Sequence, residues 1–144
     1  MKKNKYKDGE KYGVWEDYYP NGQLMYKTNY LNGKKHGLRE SYYLDGKLKS
    51  SGSFNNDNRV GTWLEYYNNC ILWSETTYLD GKIHGLLTQN YVTGKLSMKG
   101  NYVYSEPNGY FESYRFINDG ILKHNTVFKD FYIWRINIIR MVNH

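Results

Sequence analysis

Runs in which large apolar residues alternate with polar ones fill most of the chain. The runs stop at pairs such as Asn21-Gly22, Asp45-Gly46 and Thr93-Gly94. A period of two is the pattern of a half-buried β-strand, and Asn-Gly or Asp-Gly between two such runs predicts a two-residue type I′ hairpin. Asn69-Cys70 departs from the rule, with a cysteine where the others carry glycine. Each unit therefore reads as strand, two-residue turn, strand, and a longer loop to the next unit.

The units keep step. Gly13, Gly37, Gly61, Gly85 and Gly109 are each 24 residues apart. Tyr19, Tyr43, Tyr67 and Tyr91 follow their glycines by six residues, and Leu24, Leu48, Leu72 and Leu96 follow by eleven. Tyr30, Phe54, Tyr78 and Tyr102 follow by seventeen. Regular spacing of this kind identifies a repeat architecture. The fifth unit is degraded: Gly120 and Leu122 arrive two residues late, and Phe128 stands where a two-residue insertion would put the last aromatic. Terminal repeats differ because they cap the stack. The expected organisation is one repeat domain over 1–144, with repeats at about 13–36, 37–60, 61–84, 85–108 and 109–130 and a cap at 131–144.

A two-residue turn sets a register, and the register sorts the side chains into faces. It pairs Tyr19 with Leu24, Trp15 with Thr28 and Gly13 with Tyr30. The third unit likewise pairs Trp63 with Thr76 and Gly61 with Tyr78. One face is then an aromatic ladder in which each repeat glycine lies under an aromatic ring. The other face carries Glu16 opposite Lys27, and includes Tyr18, Tyr42, Tyr66 and Trp73.

Composition agrees with strands. The 144 residues include 17 Tyr, 4 Trp and 5 Phe and no Ala, which favours pleated surfaces and removes the best helix former. The tail from Asp130 is the most apolar stretch. Its β-branched and aromatic content favours a strand, while residues 131, 134, 138 and 141 would also form a helical stripe. In either form it should cap the last hairpin or cover the ladder. The fold class is all-β: an elongated single-layer antiparallel sheet of stacked hairpins with a C-terminal capping strand or helix.

The segment Gly13 to Leu24, followed by Tyr30-Leu31-Asn32-Gly33-Lys34-Lys35-His36-Gly37, resembles the MORN repeat in its 24-residue variant form. Leu31 to Gly37 and Leu79 to Gly85 carry the Gly-Lys-x-His-Gly core. The pattern is lost at Asn55 to Arg59 and at Ser105 to Asn108. The resemblance implies an antiparallel sheet of stacked hairpins and an interaction role. The same variant is similar to a family of bacterial proteins described as antitoxins of toxin–antitoxin systems, which implies a neutralising role.

Candidate chemistry is sparse. His36 and His84 share a column, but four strand spacings would separate them by roughly 19 Å, too far for one metal ion. Cys70 would sit in an exposed turn with no histidine beside it. Glu16, Glu40 and Glu112 share a column on the solvated face, where at least one has a cross-strand lysine and ordinary charge pairing accounts for them. No glycine-rich phosphate loop opens a helix. Neither a metal nor a cofactor is expected, and the chain reads as non-enzymatic.

Two binding candidates remain. The first is the aromatic face: Trp15, Tyr19, Tyr30, Tyr43, Trp63, Tyr67, Tyr78 and Tyr91. The second is a basic edge of Lys34, Lys35, His36, Arg59, Lys82 and His84, with successive loops recurring at ~9.6 Å. The net charge of +6 adds general attraction to polyanions. The expected function is a protein–protein interaction module or scaffold, with an antitoxin-like neutraliser as a specific form. The alternative is a peripheral protein that binds anionic lipid through the basic edge. Expected partners are a protein, a second copy of the chain meeting it near Trp15, Tyr19 and Tyr43, and weak anionic membrane or polyanion contact. No specific nucleic acid is expected. A lysine-rich start with no apolar stretch behind it, and a single cysteine, point to the cytoplasm, or to the interior of a host cell.

Overall fold

The computed structural model describes residues 4–117, 120–129 and 132–142. Twelve antiparallel strands form one open sheet with no helix among the described residues. They are β1 (Lys5–Lys7), β2 (Glu10–Tyr18), β3 (Leu24–Leu31), β4 (Lys34–Tyr42), β5 (Leu48–Asn55), β6 (Asn58–Tyr66), β7 (Leu72–Leu79), β8 (Lys82–Asn90), β9 (Leu96–Val103), β10 (Glu106–Ile117), β11 (Gly120–Lys129) and β12 (Tyr132–Val142). Spatial order follows chain order throughout, and the extensive contacts join sequence neighbours alone. The tail is a strand. It pairs with β11 in the plane of the sheet and so extends the last hairpin rather than folding over a face.

The turns differ from the sequence expectation in an instructive way. Tight two-residue turns lie between the units. Asn32 and Gly33 have φ of 48° and 74°, Asp80 and Gly81 have 48° and 82°, and Leu31 pairs directly with Lys34. Two successive positive φ values are what a type I′ turn requires. The expected long loop between units is therefore this tight turn.

Within a unit the loop has three residues. The N–H of Gly22 donates to Tyr19 O at 2.9 Å, and that of Tyr19 donates to Gln23 O at 2.8 Å. Only Gly22 takes a positive φ, 85°, as Gly46 and Gly94 do at 85° and 84°. Asn21 serves another purpose: its Oδ1 accepts from the N–H of Gln23 at 3.1 Å, and Asp45 and Asn69 do the same in their units. Cys70 holds the glycine position at φ 65°.

The three-residue loop is followed by a one-residue bulge at Met25, so Leu24 faces Tyr18, not Tyr19. Leu48, Leu72 and Leu96 face Tyr42, Tyr66 and Asn90 in the same way. Beyond the bulge the expected register returns: Trp15 faces Thr28, Glu16 faces Lys27, and Gly13 faces Tyr30. In the fifth unit Gly109 faces Phe128 without any shift.

The repeat glycines do not lie under rings. A Cβ at Gly13, Gly61 or Gly109 would meet nothing within 4 Å. Gly37, Gly61, Gly85 and Gly109 sit where one strand carries extra residues against its neighbour, as between Thr28 and Tyr30, and all five repeat glycines have positive φ between 65° and 105°. Backbone conformation, not a ring above, selects glycine there.

The core is a single row inside one layer. Trp15, Thr28, Gly52, Trp63, Thr76, Leu87, Gly100 and Phe111 are buried, Arg39 stands half-buried between Thr28 and Gly52, and large residues thus alternate with small ones across successive strands. Trp63 is 1% exposed. The glycines under rings are Gly52 and Gly100, where a Cβ would fall 2.2 Å from Trp63 Cδ2 and from Phe111 Cδ1. Threonine takes the same place at 28 and 76, ahead of Arg39 and Leu87. The side-chain pattern thus repeats every two hairpins, or 48 residues.

Candidate binding face

Both edges of the sheet are stitched, and this decides what several predicted residues do. The Tyr19 hydroxyl donates to Tyr42 O at 2.9 Å, Tyr43 to Tyr66 O at 2.6 Å, Tyr67 to Asn90 O at 2.9 Å, and Tyr91 to Tyr114 O at 2.6 Å. This tyrosine column ties each hairpin to the next, with one end of each side chain packed and the other hydrogen-bonded. On the opposite edge the Gly33 N–H donates to Lys11 O at 3.1 Å and the Gly81 N–H to Arg59 O at 2.9 Å. Side chains reinforce it: Asp57 Oδ1 accepts from the Lys35 N–H at 2.9 Å.

The remaining predicted aromatics form clusters on the core-row face. Trp15 meets Tyr6 and Tyr30 edge-on, with centroids 5.0 and 6.0 Å away. Trp63 meets Phe54 and Tyr78 at 5.0 and 6.4 Å. The indole N–H groups donate to Lys5 O and Ser53 O, each at 3.1 Å. Trp15 is thus buried within its own chain, which removes the expectation that it needs a second copy to cover it. Tyr19 and Tyr43 are half-buried.

The two predicted sites merge here, because cations lie on these rings. Lys35 Nζ is 5.2 Å from the Phe54 centroid. The Arg59 guanidinium is 4.2 Å from the Trp63 ring and 5.3 Å from the Tyr78 ring, and one of its N–H groups donates to the Tyr78 hydroxyl at 3.2 Å. Lys11 stands over Trp15 and Tyr30 at 4.3 and 4.9 Å, and Arg39 over Tyr26 at 4.4 Å. Neither Lys11 nor Arg39 stood out in the sequence reading. The signal for the first was the i, i+4 spacing of Lys11 to Trp15 and Arg59 to Trp63, which places cation and ring on one strand face. Such contacts contribute about 0.5–1 kcal/mol each at exposed sites.

The other residues of the expected basic edge are less engaged. Lys34 and Lys82 are exposed beside their turns, and Lys82 Nζ is 5.8 Å from the Tyr104 ring. The His84 ring packs edge-on against Tyr104 at 5.0 Å. In both His36 and His84 the Nδ1 atom is buried without a hydrogen-bond partner.

The opposite face is an ion-pair surface. Glu16 faces Lys27, which approaches Glu40 at 4.0 Å. Glu112 receives Lys123 at 2.5 Å, Lys99 at 2.9 Å and the Tyr114 hydroxyl at 3.0 Å. The Lys123 ammonium first, then that of Lys99, holds the Glu112 carboxyl down at about 2. Burial, with the Glu40 carboxylate beside it, pushes the Tyr42 phenol up.

Acid–base chemistry finds little footing. Ser113 faces His124 across β10 and β11, on the floor of an open cavity of about 380 Å³. No hydrogen bond joins the two, His124 Nε2 has no partner, and no carboxylate lines the cavity. Among the described residues no three His, Cys, Asp or Glu side chains are placed to hold a metal ion. No helix among them is long and apolar enough to cross a membrane.

Residues 11–32 and 35–56 match the family model of the MORN repeat variant. The two matched segments coincide with the hairpins β2–β3 and β4–β5 and cover under a third of the chain. No curated protein matches the chain. MORN repeats are non-enzymatic modules that generally mediate protein or membrane interactions, and here two of them open a sheet whose later hairpins repeat the same geometry.

Proposed function

We propose that this chain is a non-enzymatic interaction module that binds a protein partner through the ring-and-cation face. The observation that carries this reading is the concentration of Lys11, Lys35, Arg39 and Arg59 on aromatic rings of one face, while on the other face Lys27 lies beside Glu40 and Lys99 and Lys123 hold Glu112. A stitched open sheet presents that face with its side chains already held, which lowers the ordering cost of association. The test is affinity capture from the native source with wild-type chain, with Lys35→Glu/Arg59→Glu, and with Glu75→Lys on the opposite face. Loss of the partner with the first variant and retention with the second supports the reading, and the reverse pattern overturns it.

The neutraliser role implied by the antitoxin resemblance is a specific form of this module. It requires that co-expression relieve the toxicity of one partner protein. A second copy of the chain is also a candidate partner, checked by light scattering at rising concentration. The exposed Lys34 and Lys82 support a second reading, contact with anionic lipid in the cytoplasm. Charges of this kind are screened beyond ~8 Å at physiological ionic strength, so sedimentation with anionic vesicles should vanish as salt rises. Retention at high salt would favour the membrane reading.

A further inference from the structure

Ring and cation alternate along one row of the sheet. Tyr6 faces Lys11 across β1 and β2, Tyr30 faces Lys35 across β3 and β4, and Phe54 faces Arg59 across β5 and β6. Each cation also reaches the ring of the following pair: Lys11 lies 4.9 Å from Tyr30, Lys35 5.2 Å from Phe54, and Arg59 5.3 Å from Tyr78. In the next two units Ile83 and Pro107 occupy the cation position, so the charged part of the row ends after Arg59. Among the described residues none of the three cations is in an ion pair. All three are half-buried on their rings, which restricts where each charged group can lie.

The spacing narrows the ligand. Equivalent positions in successive hairpins are two strand spacings apart, or ~9.6 Å. An extended β-strand presents same-face side chains every ~6.7 Å, which does not match. An α-helix presents one face every ~5.4 Å, or ~10.8 Å over two turns. A polyproline II segment has three residues per turn and rises ~3.1 Å per residue, so every third side chain recurs at ~9.3 Å. That falls short of the row by only ~0.3 Å per step. Such a segment is extended before it binds and loses little conformational freedom on docking.

We infer that the row formed by Lys11, Lys35 and Arg59 binds an acidic protein segment in polyproline II conformation, with a carboxylate at every third residue. The inference rests on the interaction-module reading and names the class of partner for its face. The segment crosses the strands. Its carboxylates meet the three cations in turn, and the residues between them pass over the intervening row.

The test uses the full chain and two peptides of identical composition, (Glu-Pro-Pro)3 and Glu-Glu-Glu followed by six prolines, with binding followed by calorimetry. The evenly spaced peptide should bind about tenfold more tightly or better. Lys35→Gln, which removes the middle cation, should abolish the difference, and Lys35→Arg should restore it. Ile83→Lys extends the row by one position and should strengthen binding of (Glu-Pro-Pro)4 specifically. Circular dichroism of each variant controls for folding. Equal binding of both peptides would overturn the spacing argument and leave a general polyanion surface. Tighter binding of anionic vesicles or a single-stranded oligonucleotide than of the spaced peptide at ~0.15 M salt would also overturn it. If neither peptide binds while a captured partner still depends on Lys35 and Arg59, the inference fails and the module reading stands. If capture is also indifferent to those residues, both fail.

Discussion

Gly52→Ala should be among the most damaging single-methyl changes in this chain. The added Cβ would lie 2.2 Å from Trp63 Cδ2 and 2.3 Å from Cε2. The indole has little freedom to yield. It is 1% exposed, its N–H donates to Ser53 O, Arg59 stacks on it at 4.2 Å, and Phe54 and Tyr78 close its edges. Overpacking of this kind costs about 1–3 kcal/mol, from which the lower unfolded-state entropy of alanine recovers roughly 0.4–1 kcal/mol. The net loss, up to about 2.6 kcal/mol, corresponds to a fall in Tm of up to about 10 °C for a chain of this size. The decisive measurement is a double-mutant cycle by thermal and urea unfolding. In a Trp63→Leu background the site matches the Thr76 and Leu87 pair, which already tolerates a larger residue on β7. There the added methyl should cost under ~0.5 kcal/mol. Gly61→Ala provides the contrast: its Cβ enters open space, but φ is 65°, so a loss of about 1–2 kcal/mol should persist whatever stands at 63. Additive losses for Gly52→Ala and Trp63→Leu would refute the in-plane packing argument.

Further outcomes can be stated briefly. Tyr43→Phe removes the donor to Tyr66 O and should cost about 0.5–1.5 kcal/mol by urea unfolding, with Tyr67→Phe adding independently. Cys70→Gly should stabilise by about 1 kcal/mol, because the equivalent glycines adopt the same left-handed turn without strain; a lower Tm would contradict this. Glu112 titrates at about 2 in the folded chain and at its ordinary value, 4.5, when unfolded. A depressed carboxylate stabilises fully above the unfolded value and loses that contribution as pH falls towards 2, here about 1–3 kcal/mol. Glu112→Gln should flatten the acid limb of a Tm-against-pH curve between those values, and an unchanged limb would show that Lys123 and Lys99 do not hold the carboxylate.

How much of this was legible from the sequence depended on which quantity carried the information. Strand parity made the pairs Trp15–Thr28, Glu16–Lys27 and Gly13–Tyr30 readable, because a fixed 24-residue spacing with period two leaves few registers. Turn type is hidden in the sequence because the first unit holds two similar dipeptides, Asn21-Gly22 and Asn32-Gly33, and dipeptide identity does not say how many residues a turn contains. Pro20 was the available signal: its fixed φ suits the second position of a type I turn, ahead of Asn21 and a left-handed Gly22. The bulge at Met25 then moved Leu24 to face Tyr18. The glycines were assigned to the wrong constraint, since a positive φ and a close-packed ring both select glycine; Gly61 answers to the first and Gly52 to the second. On the candidate face, the rings were visible as columns. The seating of Lys11 and Arg59 on them was not, because long cationic side chains can reach several neighbours from one backbone position.

The neighbour-only packing of the strands bears on how such a chain can grow. Inserting a hairpin pair leaves every distant contact untouched, so length can change without redesign of the ends. The alternation of the buried row sets the allowed step. Copying the single hairpin β6–β7 would bring a tryptophan against Thr76, where Trp63 now rests on Gly52, and copying β4–β5 or β8–β9 alone would break the alternation of the row. Copying two keeps every plug on its own socket. A gene encoding this sheet would therefore lengthen most readily by tandem duplications of 144 base pairs, the coding length of a 48-residue pair, and relatives of different size should differ by even numbers of hairpins.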